Sequence, residues 1–519
     1  MRPLLLLFVL ALVVAGCTSS ASGAHRARPT VLRWGLVGLT DVPTLDPALA
    51  SDATSISLSS LVYGGLVRLD GRLRVRPDGA KRWTISRDGR VYTFFLRPNL
   101  RFADGNAVRA SDFAAALRRS LGSDGSLGTA SPYLDLIARP PAKAHAASST
   151  PAVRVVNATT LRISLIRPAA HFLAELAFPA SYVPELRLID EYGSHWTDHA
   201  AGFGPFSVLS WRHSRYLILQ RNPYYYGNKP ALKRIVVRFY PQSAIAISAY
   251  QGGALDLVSG LQAGETVSTK PAGIRRVPAL ALDYLAFNTA RLPFYRLHAR
   301  QAFATVWTPR LAAQAMGDAA FPATGFLPSA FGVPVAPWHA TVRGQTFLAQ
   351  ARYPRGKGFP PIALVVPQDP RVDALARALQ SAWHTALGLD LIVRQLNPSD
   401  YSRILDAHAF DVAIVRWGAD YPDPQDFLGT QLGSSADNVT GWTRRSYDAA
   451  IRLADSYAPT DPRRIALFQQ AARLAVRKVP ILPLDEPAQT AIISPDLADV
   501  EITPLGTISG AWARVHFKG

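Results

Sequence analysis

Cysteine is almost missing from this chain: its 519 residues contain one, Cys17, alongside only two methionines. A single thiol excludes an internal disulfide and any metal site built on several thiolates. Catalytic signatures are also missing. There is no G-x-S-x-G elbow, no H-E-x-x-H zinc helix and no G-x-x-x-x-G-K phosphate loop. Acidic residues are in short supply, 37 against 56 Lys and Arg, so the net charge is +19. The positive charges are scattered, with no run like a nucleic-acid-binding arm. The balance therefore reads as a solvated basic surface, attracted to anionic lipid or envelope polymer, with no nucleic-acid partner.

The chain opens with MRPLLLLFVLALVVAGC, which has one positive charge, an apolar run too short for a comfortable bilayer span, and small residues leading into Cys17. Residues 1–16 read as a secretion signal. The VAGC stretch resembles the lipobox of bacterial lipoproteins, which implies cleavage before Cys17, lipidation of that residue, and anchoring to a membrane in the periplasm or at the cell surface. An ordinary signal peptide with a free thiol is the alternative. Anchoring by two or more acyl chains is stable where a single chain is not. Residues 17–30 then serve as a polar tether. About 500 further residues are too many for one core, so two or three domains are expected.

Residues 60–120 are dense in strand and turn signals, with Asp-Gly pairs at 70, 78, 88 and 104. A helix follows, with Ser111 as its expected N-cap. Further on, GFPPIALVVPQ, RVDALARALQSAWHTALG and LDLIVRQL read as a strand, an amphipathic helix ended by Gly388, and a second strand. YSRILDAHAF and DVAIVRWGAD repeat the helix-to-strand step, which predicts an α/β fold with a parallel or mixed sheet. Residues 462–478 predict another amphipathic helix. In RWGADYPDP the apolar strand stops at Asp420, because Pro422 and Pro424 drive the chain out of the sheet. The carboxyl end of such a strand is where open α/β domains hold ligands. Asp423 reads as a turn residue. His195 and His199 are spaced to face one metal, but they lead into a turn and carry little weight as ligands. No metal or other cofactor is called for.

Six blocks, YGGLVRLDG, WTISRDGRVYTFFLRPNLRFADGNAVRASDFAAALRRSL, GFGPFSVLSWRHSRYLILQRNPYYYG, LAFNTARLPF, GADYPDPQDFLGTQLGSSADNVTGW and RRIALFQQAARLAVRKVPILPL, occur in the order found in the family 5 extracellular solute-binding proteins. These are the peptide-binding components of ATP-driven importers, and the chain resembles them from about residue 31 to residue 515. The resemblance implies a two-lobe clamshell with mixed sheets and flanking helices. Lobe I would gather 31–76, 168–278 and 486–519, with an additional domain at 77–167 and the other lobe at 279–485. It implies a non-enzymatic monomer that hands a short peptide to permease subunits.

The resemblance also implies that Asp420 pairs with the peptide ammonium, within the matching set Trp417, Ala419, Asp420 and Tyr421. A charge-assisted bond of this kind is worth about 1.5–3 kcal/mol; capping of the following turn is the plainer role for the same side chain. Phe203 and Gly204 of GFGPF are expected to approach the ligand backbone, or else to form a tight turn. Tyr63, Tyr133, Tyr284 and Trp417 are expected to line side-chain pockets, or to be core. Three departures stand out. Gly64 replaces a common Glu, Pro309 interrupts a helix usually continuous, and Arg416 adds a cation that either receives the ligand carboxylate or faces solvent. A non-peptide solute, such as a metal chelate, sugar or opine-like compound, and an envelope enzyme using the same cleft are the competing functions.

Overall fold

A computed structural model describes residues 29–122, 132–137, 152–261, 271–510 and 512–518. Cys17, the signal and most of the tether lie outside the described residues. Twelve strands form one sheet: β1 Val31–Val37, β2 Phe206–Arg212, β3 Tyr216–Arg221, β4 Arg234–Tyr240, β5 Leu257–Ser259, β6 Ile274–Pro278, β7 Ala281–Phe287, β8 Ala320–Pro322, β9 Ala363–Pro367, β10 Ile392–Leu396, β11 Val412–Gly418 and β12 Ile481–Ile493. Their order is β10-β9-β11-β7-β12-β5-β1-β4-β3-β2, with β6 and β8 also pairing β12. Parallel pairs (β1 with β4 and β5, β9 with β10 and β11) mix with antiparallel ones. β7 is buried at all seven positions, as expected of a strand covered on both faces.

The sheet belongs to two lobes, and β12 runs through both. Its residues from Ile481 to Asp485 pair with β7, while Ala488 to Ile493 pair with β6 and β5. A second crossing lies alongside, where residues 279–280 join β6 to β7 and the Ala279 N–H donates to the Pro487 carbonyl at 2.7 Å. Pro487, at the crossing itself, has no N–H to return. The fold is the two-lobe clamshell of mixed sheets and flanking helices expected from the sequence.

A separate antiparallel sheet, ordered 80–85, 91–96, 160–164, 153–157, packs on the helix Ala110–Leu121 through Phe94, Phe113, Leu117 and Leu161. That helix starts two residues earlier than a Ser111 cap would place it. Arg109 is the N-cap, and the Asp112 carboxylate reaches back to accept its N–H at 2.7 Å, so Ser111 lies in the first turn. Gly388 ends the helix Pro370–Leu387 in the left-handed conformation, φ 66°. Pro309 does split its helix: Leu297–Ala304 stops, and Pro309–Met316 restarts with Thr308 accepting from the Leu311 N–H.

Candidate ligand-binding cleft

A cavity of about 550 Å³ lies between the lobes, beside the strand crossings. One wall is formed by Thr54 and Ser57, on the helix Ala53–Val62, with Ser259 at the end of β5; the facing wall includes Arg371 and Arg416. Arg416 stands on β11 opposite Asp283 of β7, which stands opposite Asp485 of β12. Its Nε donates to Asp283 Oδ1 at 2.8 Å and its Nη2 to Oδ2 at 3.3 Å. Arg371, near the start of its helix, bonds both Asp283 and Asp485. The two carboxyls are wholly buried, whereas the Arg416 side chain keeps 43% of its surface open toward the cavity. Burial pushes both carboxyls up. Asp283 adds to the rise at Asp485, and Arg416 opposes it at Asp283. Asp283 is therefore the anion that anchors Arg416.

Along β11 the ladder continues past Gly418, since the Ala419 N–H donates to the Leu280 carbonyl at 2.8 Å. Asp420 follows with an exposed side chain. Its position is set by a residue that sequence reasoning missed. Asp426, 1% exposed, accepts from the Asp420 N–H at 3.1 Å and from Trp417 Nε1 at 3.2 Å through the same Oδ2. Burial, then Asp420, raises its carboxyl to about 8. The available signal was an acid set directly before the apolar pair Phe427 and Leu428 in PQDFL. Asp420 itself is raised, by the surrounding protein first and by Asp437 second. Tyr133 stacks on Phe178 at 4.8 Å, and its phenol is raised by burial and by the Asp420 charge, which places Tyr133 in the neighbourhood of Asp420.

Below this segment a buried polar cluster joins the small sheet's core to the second lobe. Tyr421 stacks on His171 at 5.4 Å. The His171 Nδ1 lies 3.3 Å from Asp455 and its Nε2 lies 3.6 Å from Glu175, while Arg464 grips Asp423 with two bonds of 2.7 Å. Asp423, read as a turn residue, does cap the helix Pro424–Leu428, and it also holds this arginine. Burial raises Glu175 to about 8, and the carboxylates of Asp455 and Glu175 outweigh burial at His171 and raise it. Both groups bind protons more tightly folded than unfolded. The stability they contribute is thus complete below their unfolded pKa values and lost as pH rises through the folded ones. Asp426 acts in the same direction. The urea midpoint is expected to fall between about pH 5 and pH 8, and Glu175→Gln to flatten that fall. A midpoint that rose over this interval would contradict the assignment.

The remaining candidates divide. Tyr284 is a correction: it is fully buried in the second lobe, its hydroxyl donates to Gln431 Oε1 at 2.7 Å, and Phe427 meets its ring edge. Tyr63 donates to the Leu45 carbonyl from a buried position. Gly204 is glycine because a Cβ would lie 2.6 Å from the Val62 backbone, so the close approach it permits is to its own fold rather than to a ligand. Tyr63, Phe203 and Gly204 border a separate chamber within the first lobe. The acid missing at Gly64 is replaced in space by Asp78, whose Oδ2 accepts from the Gly65 N–H at 3.1 Å. His199 stacks on Tyr192 and His195 is exposed; among the described residues no cluster of His, Cys, Asp and Glu could hold a metal.

Two lobes on a shared strand, with a two-sided cavity between them, define a clamshell solute-binding protein. The family model "Bacterial extracellular solute-binding proteins, family 5 Middle" matches residues 74–439, and the chain belongs to that family. It is 26% identical to the probable deoxycholate-binding periplasmic protein YgiS of Escherichia coli over 86% of both chains. It is 25% identical to the dipeptide-binding protein DppE of Bacillus subtilis over 97% of both. The fold matches the unliganded open form of the periplasmic murein tripeptide-binding protein MppA with a TM-score of 0.83, at 24% identity, over 95% of this chain and 98% of that one. A second structure of MppA, from Escherichia coli, matches at 0.68, over 95% and 99%.

Proposed function

We propose that this chain is the substrate-binding lipoprotein of an ATP-driven importer, anchored through Cys17, which captures a short peptide outside the cytoplasm and passes it to permease subunits. The observation that carries the reading is Asp420: an exposed carboxylate on a backbone pinned from beneath by the buried Asp426. Arg416 and Asp420 are four residues apart on an extended chain, so they share a face and stand about 13 Å apart. A zwitterion of roughly three to four extended residues has that separation of charge. The ammonium would meet Asp420 and the carboxylate Arg416, with Trp417, Ala419 and Tyr421 shaping the segment and Tyr133 covering it from the small domain. Ligand contacts to both lobes would favour the shut form. This reading divides the chain into lobe I (31–76, 168–278, 486–519), an added domain (77–167) and the second lobe (279–485).

Asp420→Ala is expected to weaken peptide binding about ten- to hundredfold in calorimetry, with the unfolding midpoint unchanged. Unaltered affinity in the folded variant would end the ammonium role. A non-peptide solute is the second reading, and the likeness to a protein named for deoxycholate favours it. Mass spectrometry of whatever co-purifies with the protein separates the two.

A further inference from the structure

The first lobe contains a chamber of about 290 Å³ that is distinct from the cavity between the lobes and borders it at Ser57. The hairpin of strands Val500–Ile502 and Ile508–Gly510 separates the two, with Ile502 and Gly506 turned to the cleft and Leu505 and Thr507 to the chamber. The chamber's inner surface is mainly apolar, with Tyr182, Phe203, Tyr226, Trp512 and Leu505 among its walls. Gly64 keeps one wall thin: a Cβ there would stand 2.3 Å from the Phe203 ring.

Two acids, Asp78 and Asp70, and two cations decide what such a chamber would hold, and Asp70 is taken up by Arg74 and Arg76. Asp78 is buried, and both of its oxygens are engaged, Oδ1 by the Tyr226 hydroxyl at 2.5 Å and Oδ2 by the Gly65 N–H. Arg97 braces the same wall, donating to the Asp78 carbonyl at 2.7 Å and lying over the Tyr226 ring. Asp78 is therefore committed to the wall and poorly placed to receive an ammonium. At the rim, Arg68 and Arg514 are exposed, and neither forms an ion pair among the described residues. Their neighbour Arg76 is already paired with Asp70. A cationic guest would face Arg68, already partly compensated by Asp78, and Arg514, whereas an apolar guest carrying an anion would bury its body against the aromatic walls and pair its charge at the mouth.

We propose that this chamber is a second binding site, for a small amphipathic organic anion, and that it acts independently of how the cleft is used. Anilinonaphthalene sulfonate serves as the anionic probe and N-phenylnaphthylamine as its uncharged counterpart. The full chain is expected to bind the sulfonate saturably at one site, read by probe fluorescence. Arg68→Glu combined with Arg514→Glu, both at exposed positions, is expected to weaken sulfonate binding by at least about tenfold while changing the neutral probe much less. Ser60→Trp, which fills the chamber, is expected to weaken both probes. Asp420→Ala leaves them unaffected, so failure here and failure of the peptide reading are distinguishable. The absence of saturable binding, or binding that survives both the charge reversals and Ser60→Trp, overturns the proposal. Equal loss of both probes on charge reversal overturns the anionic class of ligand.

Discussion

Asp423→Ala is expected to cost about 3–5 kcal/mol of stability, although the residue lies only three positions from an exposed ligand candidate. Arg464 is 3% exposed, and Asp423 accepts from both of its terminal nitrogens. Its next carboxylate, Asp455, stands 3.7 Å away and is shared with His171 and Arg167. Truncating Asp423 would leave a buried guanidinium facing a carboxylate that is already committed, and would also remove the cap that accepts from the Gln425 N–H at 2.9 Å. Asp423→Asn retains the cap and loses the charge, so its penalty should fall between those of the wild type and the alanine variant. The comparison is made by urea unfolding of both variants at one pH. If Asp423→Ala unfolded within about 1 kcal/mol of the wild type, Arg464 would have found water and the cluster would not be dry.

The second large effect is expected at Asp283. Asp283→Ala removes the anion that Arg371 and Arg416 share, leaving Arg371 with Asp485 alone and Arg416 without its nearest partner, and about 3–5 kcal/mol should be lost. The cost comes from isolating charge and not from a missing attraction. Replacing Asp283 and Arg371 together by leucine should therefore recover much of the loss, since a well-packed apolar pair avoids the desolvation penalty altogether. Non-additivity in that double-mutant cycle is the readout. The double variant should nevertheless bind ligand more weakly, because Arg416 loses the partner that orients it toward the cavity.

What was legible in the sequence was local. The run from Trp417 to Tyr421 could be located because prolines end its strand, and Gly388 and Pro309 could be placed because their backbone chemistry acts within a turn. Ser111 was displaced as the cap by Arg109, because the carboxylate of Asp112, an equally local competitor, reaches the Arg109 N–H. The long-range partners were not legible. Arg464 is 41 residues from Asp423, and His171 is 284 from Asp455. Nothing in either sequence neighbourhood marks those pairings. Tyr284 shows a related limit: in a strand covered on both faces, no alternation of polarity tells which side chains look into a cleft and which into a core.

β12 also bears on how the lobes can move. A single thirteen-residue strand is hydrogen-bonded on one stretch to one lobe and on the next stretch to the other, with Pro487 at the changeover. Relative movement has to be taken up as torsion over the few residues around 279–280 and 485–488, because sliding would break ladders on both sides. The spine thus restricts the pair to a narrow arc of twist. A guest bound at the rim would work against that stiffness through a long lever, while one bound beside the crossing would feel almost none of it.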